Sequence, residues 1–316
     1  MQNPIDIFLA QRPVMILDGA LATELEWRGA DLRDPLWSAK CLIEQPELIR
    51  AVHLDYFRAG ADVATTATYQ ATFEACARRG IDSRGAAQLM RDAVALAVAA
   101  RDEFWSVTAN RSARLRPLVA ASVGPYGAML ADGSEYRGHY SFGDDALADF
   151  HRPRLQVLAA AGADLLACET IPCLREALVL AELLREFPSL SAWMSFSCRD
   201  GARTCEGDSI AACGAKLRSF PQIAAVGVNC TAPQYIVSLL RRLRASTDVP
   251  LVVYPNSGES YDASSKRWCG EPGALRFGEM ARLWHAEGAR LIGGCCRTAP
   301  MDIRGVKQCL HPEPSE

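Results

Sequence analysis

A single (β/α)8 barrel is the fold class this sequence predicts, and three observations predict it. Eight short apolar runs recur from one end of the chain to the other. Segments with helical spacing separate most of them. No composition break, linker or low-complexity stretch divides the 316 residues, so they read as one domain with a flexible tail from about 311 to 316. A doubly wound open sheet is the alternative, since strand count alone does not show closure.

The runs are PVMILDG (13–19), ADVATTATY (61–69), PLVAASVGP (117–125) and ADLLACET (163–170), then SAWMSFSC (191–198), IAAVGVNC (223–230), PLVVYPNSG (250–258) and ARLIGGCC (289–296). They are nearly continuous in apolar residues rather than alternating, the pattern of parallel strands covered on both faces. PELIRAVHLDYFRAG opens on Pro46 and closes on Gly60, the start and stop signals of a helix. SRGAAQLMRDAVALAVAARDEFW, DDALADFHRPRLQVLAAAG, CLREALVLAELLREF, APQYIVSLLRRLRAS and GALRFGEMARLWHAEG carry the same spacing.

Hydrophobic residues make up 49% of the chain and charged residues 22%, enough apolar material for a large core. The net charge of -3 comes with scattered basic residues, which argues against nucleic acid and anionic membranes as partners. The first twenty residues lack the basic and apolar blocks of a signal peptide, and no apolar run is long enough to span a bilayer. A cytoplasmic protein is expected. Its twelve cysteines are then mostly reduced thiols, and Cys41, Cys76, Cys213 and Cys309 are read as small buried hydrophobes in helices.

Barrels of this kind carry their active sites at the C-terminal ends of the strands. Those ends supply Asp18, Thr66, Ser122, Glu169, Asn229, Cys230, Tyr254, Asn256, Cys295 and Cys296. Two distant strands thus bring three cysteines to one mouth. Adjacent α-carbons lie about 3.8 Å apart, too close for an unstrained disulfide between Cys295 and Cys296. Three thiolates with one open position fit a catalytic zinc site, because sulfur favours zinc over magnesium or calcium. Gly293 and Gly294 are expected to let the chain turn so that both sulfurs face one ion. The competing reading makes all three cysteines core residues. Cys168, beside Glu169, points to the opposite face by strand alternation and is not counted as a ligand.

The stretches ILDGALATELEWRG, HLDYFRAGADVATTATYQAT, SVGPYGAMLADGSEYRG, GADLLACETIP, VGVNC, LVVYPNSGE and RLIGGCCRTAP span about residues 14 to 303. In them the sequence resembles the zinc-dependent homocysteine S-methyltransferases, and closely the bacterial members that use S-methylmethionine. The resemblance implies a (β/α)8 barrel and one Zn2+ held by Cys230, Cys295 and Cys296, with homocysteine's thiol in the fourth position. It also implies that Asp18 and Glu169 hold the substrate's ammonium group. Capping of the following helix, or pairing with an arginine, is the structural alternative for these two carboxylates.

Thr66, Ser122, Asn229, Tyr254 and Asn256 are expected to line the pocket for homocysteine and a sulfonium methyl donor. Trp37, Tyr126, Tyr136 and Tyr254 are candidates for cation–π contact with that donor. The loop LADGSEYRGHYS (130–141) is a candidate lid. No histidine stands at a strand end, consistent with a thiol that loses its proton on binding metal and needs no general base. S-adenosylmethionine or betaine as donor and selenocysteine as acceptor are alternatives within this chemistry. A zinc hydrolase and a non-catalytic metal-binding barrel lie outside it. No obligatory protein partner is indicated.

Overall fold

The structure, a computed structural model, describes residues 3–31, 38–112, 114–258, 260–262, 267–269 and 276–311. Eight parallel strands form the barrel: β1 (Met15–Ile16), β2 (Val63–Thr65), β3 (Leu118–Val123), β4 (Leu165–Ile171), β5 (Ala192–Phe196), β6 (Ile223–Asn229), β7 (Leu251–Tyr254) and, after a short antiparallel hairpin of β8 (Ser260–Asp262) and β9 (Arg267–Cys269), β10 (Ala289–Ile292). Their order is β1-β10-β7-β6-β5-β4-β3-β2. A parallel bridge between Leu17 and Val63 joins the two ends, and Asp62 N donates to Ile16 O at 2.7 Å. The sheet is closed, which decides against the open doubly wound alternative.

All eight expected strands form, several of them shorter than the apolar runs that announced them. The run at 61–69 yields three strand residues and the run at 250–258 yields four. At the mouth, strand N–H groups turn from the ladder to side chains: Thr65 N donates to Asp18 Oδ2 at 2.7 Å, Ser122 N to Thr66 Oγ1 at 3.1 Å, and Thr170 N to Asn229 Oδ1 at 2.7 Å. The hairpin β8–β9 was not foreshadowed by the sequence pattern.

The expected helices also form. Pro46 opens the helix Pro46–Ala59, and Gly60 closes it with φ +122°. Around the barrel, alternate strand residues separate into two layers. Ala121, Leu166, Cys168, Met194, Val226 and Val253 face outward into the main core beneath the helices. Ala120, Leu165, Ala167, Trp193, Ala225, Val252 and Leu291 fill the interior. Each interior column turns polar toward its C-terminal end: Ala120 gives way to Ser122, Ala167 to Glu169, Trp193 to Ser195, and Leu291 through Gly293 to Cys295.

The N-terminal helix Pro4–Leu9 sends Ile5 and Phe8 into the interior cluster, closing the opposite end of the barrel. His311, placed in the tail by the sequence reading, is half-buried, with Nε2 3.3 Å from Val14 O. The rest of that tail, 312–316, lies outside the described residues. Among the described residues no helix is long and apolar enough to cross a membrane.

Candidate active site

Cys230, Cys295 and Cys296 converge at the mouth, their sulfurs all within 4.8 Å of one another. Cys230 Sγ lies 3.5 Å from Cys296 Sγ, and Cys295 Sγ lies 4.0 Å from Cys296 Sγ. Thiolates placed tetrahedrally at a Zn–S distance of about 2.3 Å stand about 3.8 Å apart. The three sulfurs fit that spacing. Thiol donation from Cys295 and Cys296 pulls the Cys230 pKa well below its ordinary value, and the same contact with Cys230 pushes the other two up.

The backbone that presents these sulfurs is unusual at two points. Cys230 has φ +45° and Arg297 has φ +67°, both in the left-handed region that side chains rarely adopt. The Cys230 strain is held by its N–H, which donates to Tyr254 O at 3.1 Å. Cys295 N donates to Pro255 O at 2.7 Å. The expected tight turn at Gly293–Gly294 is not what these glycines provide, since neither has positive φ. They allow close approach instead. A Cβ on Gly293 would lie 2.7 Å from Asp18 O, and one on Gly294 would lie 2.3 Å from Thr298 Oγ1.

Asp18 and Glu169 are both buried. Thr65 fixes Asp18 from two sides, its N–H donating to Oδ2 at 2.7 Å and its hydroxyl to Oδ1 at 3.0 Å. The Ser122 hydroxyl donates to Glu169 Oε1. Burial pushes the Asp18 carboxyl up to about 8 and the Glu169 carboxyl up to about 7. Each also raises the cost of charge through its acidic neighbourhood: Glu169 acts on Asp18, and Cys295 on Glu169. Among the described residues neither forms an ion pair with a lysine or arginine, so the pairing alternative finds no support. Glu169 sits where the register between β4 and β5 shifts, between Cys168 and Ile171, and the next residue, Thr170, has φ +60°. Alternation from Ala167 aims Glu169 into the mouth, and the irregularity follows it.

The other predicted pocket residues are held by the protein itself. Asn229 accepts at Oδ1 from Thr170 N and from Ser195 Oγ (2.9 Å), and its Nδ2 donates to Thr170 Oγ1 at 2.8 Å and reaches Cys295 Sγ at 4.0 Å. Tyr254 OH accepts from Trp193 Nε1 at 2.9 Å and lies 2.6 Å from Ser195 Oγ. Thr66 Oγ1 lies 2.7 Å from Thr68 Oγ1, and Asn256 Oδ1 accepts from Gly258 N at 3.1 Å. Thr66, Ser122, Asn229, Tyr254 and Asn256 therefore form a scaffold around the carboxylates and sulfurs.

Among the aromatic candidates, Tyr136 reaches the sulfurs, with its hydroxyl 3.0 Å from Cys230 Sγ. Tyr126 instead packs edge-on against Tyr140, Phe142 and Phe150. Trp37 lies outside the described residues. Sequence reasoning did not select Thr65 or Glu135. Thr65 could have been found as the strand-end neighbour of Asp18, one residue before the Thr66 that was chosen. Glu135 could have been found as the residue preceding Tyr136. Cys168 is buried in the outer core, and burial pushes its thiol up to about 12.

The sequence profile of the family described as homocysteine S-methyltransferase matches residues 15–310. A homocysteine S-methyltransferase of Bacillus subtilis, YbgG, is 55% identical over 304 residues, covering 96% of each chain. The homocysteine S-methyltransferase of Escherichia coli is 50% identical over 307 residues, covering 96% of this chain and 98% of its own. The crystal structure of the homocysteine methyltransferase MmuM from Escherichia coli in its metallated form superposes with a TM-score of 0.87 at 47% identity, over 96% of this chain and 99% of that one. With its closed barrel, its three converging sulfurs and this likeness along nearly the whole length, the chain belongs to the homocysteine S-methyltransferase family.

Proposed function

We propose that this protein is a zinc-dependent enzyme that transfers a methyl group from S-methylmethionine to the thiol of L-homocysteine, forming methionine. The observation that carries the reading is the meeting of Cys230, Cys295 and Cys296 beside two buried carboxylates. Zinc held by these three cysteines would remove the proton of a fourth, substrate thiol and leave its sulfur nucleophilic.

The chain's own residues bind and orient. Asp18, locked by Thr65, and Glu169, locked by Ser122, offer acceptor oxygens to the homocysteine ammonium. A cation arriving between these carboxylates stabilises the charged forms that burial disfavours, so its binding is coupled to release of a proton. Asn229 keeps Cys295 and Thr170 in place, and Tyr136 covers Cys230 from the loop side. The homocysteine sulfur then gains the methyl carbon while the donor's carbon–sulfur bond breaks, its electron pair staying on the donor sulfur. The thiol proton leaves to solvent, and both amino acids end as methionine. Holding sulfur and methyl in line converts a bimolecular encounter into a positioned one. The acidic mouth also suits a cationic donor.

The test is formation of methionine from homocysteine with S-methylmethionine, S-adenosylmethionine and betaine in turn, together with X-ray absorption of the zinc. A shell of three protein sulfurs that gains a fourth when homocysteine is added is expected. A zinc shell unchanged by homocysteine would overturn the reading in favour of a hydrolase or a metal-binding barrel.

A further inference from the structure

Two amino acids meet in the proposed reaction, and each brings an ammonium group. Asp18 and Glu169 are assigned to one of them. The buried surroundings of the sulfurs contain a third carboxylate, that of Glu135. It lies in the loop after the helix Tyr126–Leu130, within a 3-10 turn at Ser134–Tyr136. The backbone fixes it firmly: Glu135 O accepts from Ser197 Oγ at the end of β5 at 3.0 Å, and the next residue, Tyr136, rests its hydroxyl on Cys230 Sγ at 3.0 Å. Its Oε2 is buried and has no hydrogen-bond partner. Among the described residues no lysine or arginine forms an ion pair with it. The nearby Arg137 guanidinium bonds to Ser134 Oγ at 3.2 Å and to Asp132 at 3.5 Å. Its chain neighbour on the Cys230 sulfur and its anchor at the end of β5 place Glu135 at the same mouth. Burial pushes its carboxyl up to about 7.

We infer that Glu135 binds the methyl donor by accepting a hydrogen bond from the donor's α-ammonium group. The inference rests on the reading above. A buried acceptor without a partner is destabilising, a penalty that a ligand N–H group would relieve. A sulfonium carries no N–H, so the orphaned oxygen selects the ammonium end of an amino-acid sulfonium rather than its reacting end. The ammonium is unchanged by methyl transfer, so the contact stabilises ground state and transition state alike and acts on KM more than on kcat. Tyr136, the next residue, offers its ring to the sulfonium from the same turn.

The experiment compares zinc-loaded wild type with Glu135→Gln, which keeps the side chain's size and leaves the backbone anchor to Ser197 intact. Calorimetric binding of S-methylmethionine is expected to weaken at least tenfold, with a matching rise in donor KM and a much smaller change in kcat. KM for homocysteine and zinc content should stay within twofold. Glu135→Asp should recover part of the loss. Dimethylsulfonioacetate, a sulfonium with no ammonium group, should bind both proteins equally. Equal S-methylmethionine affinity in the two proteins, or equal weakening of both sulfonium ligands, would remove Glu135 from donor recognition. Wild-type turnover is read separately: its absence would sink the proposed reaction, while the affinity ratio would still decide the Glu135 contact.

Discussion

The hydroxyl of Tyr136 and the sulfur of Cys230 lie 3.0 Å apart although 94 residues separate them in the chain. One belongs to a surface loop and the other ends a barrel strand. Their contact ties the loop to the sulfur cluster and places a polar donor beside a cysteine whose pKa is already depressed.

Removing that hydroxyl tests its weight. Groups bonded to metal ligands commonly change metal affinity by about 10–100-fold. Tyr136→Phe is expected to weaken zinc binding about tenfold in competition with a chelator while preserving the ratio of one ion per chain. Unchanged affinity would show that the contact is only packing.

Asp18 makes a prediction about pH. Burial raises its carboxyl from an ordinary 3.8 to about 8. Between those values the folded chain keeps a proton that the unfolded chain has released. The contribution of this group to stability is therefore present below about pH 4 and lost as pH rises toward 8. Without homocysteine, Asp18→Asn should lose less melting temperature than wild type between about pH 5 and 8. The same variant should lose roughly 100-fold or more in kcat/KM for homocysteine, since an ammonium loses a buried charged partner. Parallel melting profiles for the two proteins would contradict the assignment of the proton to this carboxyl.

Gly294 is expected to tolerate no side chain. A Cβ there would come within 2.3 Å of Thr298 Oγ1 and 2.7 Å of Thr298 Cβ. Thr298 Oγ1 itself donates to Cys295 O at 2.6 Å, so the clash falls on the segment that carries two of the sulfurs. Gly294→Ala should cost about 1–3 kcal/mol in urea unfolding and also weaken metal binding. A stable variant with normal zinc affinity would show that the segment can shift without harm.

Asn229 ties together groups from two neighbouring strands. Asn229→Ala would leave Thr170 N–H and the Thr170 and Ser195 hydroxyls without this partner. A loss of at least about 2 kcal/mol is expected from these buried groups, with homocysteine KM rising less than kcat falls. A rise in KM alone would restore Asn229 to direct substrate contact.

Much of this molecule could be read before its structure was known, for reasons visible in particular residues. The apolar runs announced every barrel strand because both faces of those strands are covered, and Pro46 and Gly60 marked a helix by backbone chemistry that needs no tertiary context. Cys230, Cys295 and Cys296 could be selected because strand ends share one rim. The contributions of Thr65 and Ser122 were harder to read, since a hydroxyl that orients a carboxylate leaves no periodic signal. Tyr136 could be picked as a mouth-side aromatic, but its contact with Cys230, and the place of Glu135 beside it, depend on how a loop of a dozen residues folds back over the barrel, which spacing along the chain does not encode. The glycine pair was correctly flagged as special, but for a turn rather than for room.

The helix that packs Ile5 and Phe8 into the barrel has a consequence for traffic. With that end filled by apolar side chains, the sulfurs stand at the opposite rim, where the hydroxyl of Tyr136 touches Cys230. A molecule bound to them would enter and leave from the side of the barrel on which the loop carrying Tyr136 sits.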